Sequence, residues 1–191
     1  AVKLPLPPSC LATIWGADDA YLEKYLTSFP GYYETGDAGY CDEDGYLYIM
    51  ARTDDVINVA GHRLSTGQLE EVLADHPDIA ECAVIGVADQ LKGQLPLGLI
   101  CLYPNCNRLQ DDIMAEAIAL VKDRVGRVSS FNLIVVIDRL PKTRSGKILR
   151  GTMAKIADGE SWNMPATIDD PVILDEITMA LQSIGYAGGK S

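Results

Sequence analysis

Apolar residues follow two rhythms along this chain, and the rhythm changes at Asp54. Ahead of it lie short, tyrosine-rich stretches. Val2 to Pro8 is apolar and proline-rich, which suits an edge strand or a linker. Asp18 can cap a short helix running to about Ser28, with Tyr21, Leu22, Tyr25 and Leu26 at helical spacing. Tyr32-Tyr33, Asp37 to Cys41 and Tyr46 to Met50 read as strands, with a turn at Asp42-Glu43-Asp44-Gly45. This β material is too small to stand alone and is expected to end a larger domain.

Beyond Asp54 the periods lengthen. Val56 to Val59 and His62 to Leu64 flank Ala60-Gly61 as a hairpin. Ser65 or Thr66 then caps a helix whose apolar face is Leu69, Val72, Leu73 and His76, stopped by Pro77. Ala80 to Val87 and Leu97 to Tyr103 read as strands. Gln110 to Val125 reads as a helix with Met114, Ile118, Val121 and Val125 on one face. Leu133 to Ile137 is a third strand, followed by a basic loop and a helix from Ile148 to about Ala157. The expected fold is α+β: a three-stranded sheet covered by helices, plus the hairpin. A tail follows, with a turn at Thr167-Ile168-Asp169-Asp170-Pro171, a helix near Val172 to Ile184, and a frayed end at Gly188-Gly189.

Composition narrows the function. The 191 residues suit one large or two small domains, and 48% hydrophobic with 23% charged residues is globular. A formal net charge of −11 argues against nucleic acid or an anionic membrane as partner, so any anion must be met by local basic residues. Purely apolar runs reach only about five residues, too few for a membrane span. Five cysteines without CxxC spacing, and only two histidines, leave no credible zinc site and suit reduced thiols in a cytosolic-type compartment. The chain starts at Ala1 without Met and reads as a piece of a longer protein.

The candidate chemistry centres on Pro141 to Arg150, PKTRSGKILR. Pro141 ends a strand, Gly146 lets the backbone turn closely, and Lys142, Arg144 and Lys147 supply cations. A lysine on such a loop suits a phosphate or carboxylate, although spacing alone fits a solvated basic loop better. Walker A is excluded: no glycine stands at the required distance ahead of Gly146-Lys147, and Ile148 replaces the Ser or Thr. Asp37, after a glycine turn, can accept two hydrogen bonds from vicinal hydroxyls such as a ribose, or can simply be a turn residue. Arg52 and Arg63 offer polyphosphate donors, or ordinary ion pairs. His62 reads as a packing residue and His76 as a helix-end residue, since neither has an evident nucleophile to serve.

Three motifs in order turn these candidates into a family resemblance. They are Tyr33-x-Thr35-Gly36-Asp37, Arg52-Thr53-Asp54-Asp55-Val56-Ile57-Asn58-Val59-Ala60-Gly61-His62-Arg63-Leu64, and Pro141 to Ile148. Together they resemble the last core motifs of the adenylate-forming acyl-CoA synthetases, over nearly the whole chain. The Gly-His-Arg-Leu-Ser-Thr wording and the Thr-Ile-Asp-Asp-Pro tail resemble the short-chain branch, and look more like propionyl- than acetyl-CoA synthetases.

The resemblance implies an enzyme that joins a short-chain carboxylate to AMP, using ATP and Mg²⁺, and then passes the acyl group to CoA. It implies residues 1–53 as the end of a large AMP-binding domain, 54–160 as a mobile C-terminal domain and 161–191 as a tail. Asp37 would hold the ribose, Arg52 would assist there, and Arg63 would meet phosphate. Asp54 would be the hinge, and Lys147 would reach the carboxylate and phosphate during adenylation. Ala60 and Gly61 would line the pantetheine tunnel, with Lys122 at the 3′-phosphate of CoA. Short-chain members often carry Ser at the position of Ala60 and Arg at that of Lys122; Lys keeps the charge but loses the bidentate fork. A cation site on the backbone carbonyls of Ala74, His76 and Ile79 is also implied. So are lysine acetylation and deacetylation enzymes acting on Lys147, and a cytoplasmic or mitochondrial-matrix location. The phosphate loop and acyl pocket would lie upstream, leaving this stretch inactive alone. Two rivals stand beside this reading: an adenylation domain that loads a carrier-protein thiol, and a non-catalytic nucleotide-binding module of the same fold.

Overall fold

The computed structural model describes residues 1–188, and for Met50 and Asp54 the backbone alone. Gly189, expected at the frayed end, lies outside the described residues. The chain divides into two compact units, Ala1–Thr53 and Asp54–Ser191.

The first unit holds helix α1 (Asp18–Tyr25) and two small antiparallel pairs. These are β1 (Val2–Lys3) with β2 (Tyr32–Tyr33), and β3 (Asp37–Cys41) with β4 (Leu47–Arg52). Tyrosines knit it together. Tyr21 is buried and its hydroxyl donates to the Leu11 carbonyl at 2.9 Å, while the rings of Tyr25 and Tyr33 stack at 5.1 Å. Trp15, Leu47 and Ile49 stand exposed, so this unit presents apolar surface.

The second unit is a sheet between two helical layers. After a 3₁₀ turn at Thr53–Asp55 come β5 (Val56–Val59), β6 (His62–Ser65), α2 (Thr66–Ala74), β7 (Ile79–Asp89), β8 (Gly93–Leu102), α3 (Gln110–Arg124), β9 (Leu133–Val136), α4 (Arg150–Ala157) and α5 (Ile173–Ser183). Strand alternation assigns each face. Ala83, Ile85, Val87, Leu97 and Leu99 point to one core with Met153 and Ile156 of α4 and Ile173, Leu174, Ile177 and Leu181 of α5. Val84 and Ile100 point to the other, with Leu69, Val72 and Leu73 of α2, Ile113, Ala117 and Val121 of α3, and Phe131. Each of these buried Val, Leu, Ile, Met and Phe side chains contributes about 1.5–3 kcal/mol.

Three features differ from the sequence-based expectation. The sheet has five strands, in the order β6-β5-β8-β7 with β9 parallel on β8, because Val59 pairs Gly93 and draws the hairpin into the sheet. Strands β7 and β8 extend to Asp89 and from Gly93, because cross-strand bonds continue past the apolar positions to the turn itself. Helix α4 starts at Arg150 instead of Ile148, since Ile148 bridges Lys142 and the Leu149 N–H donates to the Pro141 carbonyl. The segment after residue 160 is part of this unit's core: Ile168 and the apolar face of α5 are buried. Among the described residues no helix is long and apolar enough to cross a membrane.

Candidate functional site

In the first unit, Asp37 opens β3 and stands opposite Arg52, which closes β4. Fifteen residues separate them in sequence, and the antiparallel register brings their charged groups to 4.0 Å on an exposed rim. Gly36 makes this possible. Its φ is +73°, and a Cβ there would lie 3.0 Å from Arg52 Nη2, so any side chain would push the guanidinium aside. The Gly36 carbonyl accepts from both Thr53 N–H (2.8 Å) and Thr53 Oγ1 (3.1 Å), and Thr35 Oγ1 accepts from the Asp37 N–H at 3.3 Å. A carboxylate and a guanidinium are thus presented side by side to solvent.

The lysine loop of the second unit is a small ribbon. Thr143 N–H donates to the Lys147 carbonyl and Gly146 N–H to the Thr143 carbonyl, both at 2.8 Å, with Gly146 at φ +83° closing the turn. Thr143 Oγ1 accepts the Lys147 N–H at 3.0 Å and lies 3.0 Å from Ser145 Oγ. These bonds fix the backbone at Lys147 while its side chain stands exposed. Lys142 is different: its ammonium donates to both carboxylate oxygens of Glu81, at 2.7 and 2.8 Å. Its charge is therefore used internally, leaving Arg144 and Lys147 as the exposed cations of this loop.

The Ala60-Gly61 hairpin sits at the other end of the β7–β8 ladder: Ala60 N–H reaches the Lys92 carbonyl in the turn after Asp89, whereas Glu81, the partner of Lys142, pairs Cys101 near the far end. Ala60 adopts φ +50° and Gly61 φ +88°. A left-handed alanine costs about 1 kcal/mol, and it is held by its N–H bond to the Lys92 carbonyl at 2.8 Å. Lys92 Nζ in turn donates to Ser130 Oγ at 2.9 Å. Arg63 is exposed on β6, paired across the ladder with Asn58. Lys122 is half-buried in the last turn of α3, and the 3₁₀ turn Arg127–Ser129 that follows packs on β6. The end of α3 and the strand bearing Arg63 are therefore neighbours. His62, expected to pack, is instead exposed beside the hairpin turn, because an outer strand this short has no second layer there.

Ala74, His76 and Ile79 lie where α2 gives way to β7. The His76 ring is buried: Nδ1 accepts the Asp78 N–H and Nε2 meets Glu116 Oε2, both at 3.2 Å, which makes Nε2 the protonated nitrogen of the neutral ring. Arg108 bridges Asp78 and Glu116, and holds the Glu116 carboxyl below its ordinary range. The ring is thereby committed to Glu116 and Asp78. The carbonyls at the C-terminal end of α2 carry the negative end of the helix dipole, which suits a cation, although the His76 carbonyl already accepts the Ile79 N–H at 3.1 Å. Among the described residues no cluster of His, Cys, Asp or Glu side chains is arranged to hold a metal.

Sequence reasoning missed the supports of the loop. Glu70 on α2 takes a bidentate contact from Arg150 (2.9 and 2.8 Å) and accepts the Val84 N–H at 2.8 Å, tying helix, sheet and the start of α4 together. Cys82 lines, with Glu70, Glu71, Gly146 and Ile148, a groove of about 480 Å³ beside the loop. Burial, with Glu70 adding, pushes its thiol up to about 11, so it is no nucleophile at neutral pH.

The AMP-binding enzyme C-terminal domain model matches residues 68–147, the stretch from α2 to the lysine itself. The chain is 45% identical to the human mitochondrial acyl-CoA synthetase short-chain family member 3 and 43% identical to propionate–CoA ligase of Escherichia coli, each over 95% of its length. Residues 68–147 thus form an AMP-binding enzyme C-terminal domain. The chain is also 57% identical, over 95% of its length, to an uncharacterized Pseudomonas aeruginosa protein. It spans 26%, 30% and 29% of these three relatives, respectively. Among solved structures, an ATP-bound RpMatB-BxBclM chimera shares the fold at a TM-score of 0.63 and 23% identity, covering 78% of this chain and 29% of its own.

Proposed function

We propose that this chain is the C-terminal portion of an ATP-dependent short-chain acyl-CoA synthetase, with a substrate of propionate or acetate size. One observation carries the reading: the ribbon of Lys147, tied through Lys142 to Glu81, and the Ala60-Gly61 hairpin, tied to Lys92 and Gly93, lie at opposite ends of the β7–β8 ladder. A domain built this way can offer its lysine to one half-reaction and its hairpin to the other. In the first, a carboxylate oxygen attacks the α-phosphorus of ATP, the acyl-adenylate forms, and pyrophosphate leaves. Lys147 meets the charge gathering on the carboxylate and phosphate oxygens, Asp37 accepts the ribose hydroxyls, and Arg52 steadies them, with Mg²⁺ neutralising the phosphates. In the second, the CoA thiol attacks the acyl carbon and AMP leaves. Ala60 and Gly61 flank the pantetheine arm, Lys122 meets the 3′-phosphate, and Arg63 contacts phosphate. Asp54, in the 3₁₀ turn between the units, serves as hinge. A cation on the carbonyls of Ala74, His76 and Ile79 would stiffen the join of α2 and β7.

The charge of Lys122 favours CoA over a carrier-protein thiol, since a carrier arm ends without a 3′-phosphate. The exposed lysine on a preformed ribbon favours catalysis over a purely binding role. The test uses the enzyme at the length its relatives have. Lys147→Ala should lower pyrophosphate exchange by about 10²–10³, as acetylation of Lys147 by a lysine acetyltransferase should. Conversion of supplied acyl-adenylate and CoA to thioester should continue. Normal exchange in the variant would overturn the role given to this lysine.

A further inference from the structure

The ribbon that carries Lys147 has a third strand, and it comes from the far end of the chain. Lys142 to Arg144 uses alternate backbone groups on its two sides. On one side Thr143 N–H and the Pro141 carbonyl bond the Lys147–Leu149 arm. On the other, Arg144 N–H donates to the Thr167 carbonyl at 2.9 Å and the Lys142 carbonyl accepts from Asp169 N–H at 3.0 Å, with Thr143 bridging Ile168. Ile168 is 5% exposed and packs in the core of α4 and α5. Arg139, three residues ahead of Lys142, pairs with Asp170 at 2.7 Å and with Glu176 of α5 at 2.8 Å. Asp170 Oδ1 accepts the Val172 N–H at 3.1 Å, tying the segment to the start of α5. The turn bonds give the loop its shape, and the 167–169 strand sets its attitude to the core.

We infer that residues 167–170 are a positioning strand for the lysine loop, setting the rate of adenylate formation without serving the thioester step. This rests on the adenylation role of Lys147 given above. A cation that stabilises one developing charge must be placed closely, and a 1 Å displacement costs about 10²-fold. The loop residues 144–147 are exposed, so no buried side chain of theirs performs this placement. The Asp169 side chain is exposed too, which leaves its N–H as the group in use.

The experiment compares half-reactions in the full-length enzyme. Asp169→Pro removes the N–H bonded to Lys142, and is expected to lower kcat for pyrophosphate exchange by about 10–100-fold with the KM for ATP unchanged. Thioester formation from supplied acyl-adenylate should stay within about twofold of the parent. Asp169→Ala restores the N–H without the carboxylate and should rescue exchange. Arg139→Gln cuts an exposed clamp, so it folds even if the proline variant does not, and should show a smaller loss confined to exchange. Parental exchange in both Asp169→Pro and Arg139→Gln, or equal loss of both half-reactions in a variant with parental melting, overturns the inference. Lys147→Ala run alongside separates the two readings. If it keeps exchange, the role of the lysine has failed; if it alone loses exchange, the positioning strand has failed.

Discussion

On the proposed function, a single charge at position 122 would decide between two thiol acceptors. Lys122 lies in the last turn of α3, where the negative end of the helix dipole favours a cation, and two residues on Arg124 pairs with Asp75 of the cap of α2. Lys122 is half-buried, the state in which a lysine packs its stem and keeps its ammonium in water. Lysine supplies a point charge to a phosphate, without the fork of arginine. Lys122→Ala should therefore raise the KM for CoA about tenfold, since a charged hydrogen bond is worth about 1.5 kcal/mol or more. The KM for ATP should hold. Steady-state titration of each substrate checks this, and a parental KM for CoA would return the carrier-protein acceptor to first place. At the Ala60-Gly61 hairpin, Ala60 keeps a left-handed backbone that glycine would adopt more easily, held by one bond to the turn at Lys92.

The elements that position the loop are held by charge as well as by apolar burial. Arg139 bonds hold the carboxyls of Asp170 and Glu176 below their ordinary range, Asp170 also accepting the Val172 N–H. A carboxyl whose folded pKa is depressed adds stability above its unfolded value, near pH 4, and loses it as the pH falls through the folded value. The melting temperature should therefore fall on acidification from about pH 5 to pH 3. Arg139→Gln should melt lower than the parent at pH 7 and converge on it in acid; no gap at pH 7 would show the clamp to be inert, and a gap constant with pH would show its effect to be independent of these two carboxylates. Helices α2 and α5 were legible because their buried residues recur at three and four, a pattern set locally; α3 was legible in extent, but its buried residues are Ile113, Ala117 and Val121, with the expected Met114, Ile118 and Val125 only half-buried. The pairing of Val59 with Gly93, the Glu81 contact that consumes Lys142, and the Ile168 bridge were not. Each joins residues dozens apart, and no local period records such a contact. The same limit applies to the site. Asp37 and Arg52 could be named as candidates, yet only the β3–β4 register reveals that they face each other.

For the molecule as a whole, the consequential position is where its two units join. The chain divides between Thr53 and Asp54, inside a 3₁₀ turn of three residues. Such a turn is short enough that a change in one or two backbone dihedrals redirects everything after it. On the function proposed above, two half-reactions would use opposite ends of the β7–β8 ladder, which requires a redirection of this kind between them. Upstream, Thr53 is fastened to Gly36 by two bonds, and downstream Val56 and Ile57 are already paired with Ser65 and Leu64. The pivot that the proposed function calls for is therefore Asp54, between these two fastened stretches. Proline at 54 fixes φ near −65° and removes an N–H, so it admits one orientation and penalises the other. In the full-length enzyme, Asp54→Pro should leave one half-reaction near its parental rate and depress the other by an order of magnitude or more, about 1.4 kcal/mol for each factor of ten. Pyrophosphate exchange and thioester formation from supplied adenylate, measured on one preparation with a parental melting temperature, separate these outcomes. Equal loss in both would place the pivot elsewhere, with Asp55 as the next residue to substitute.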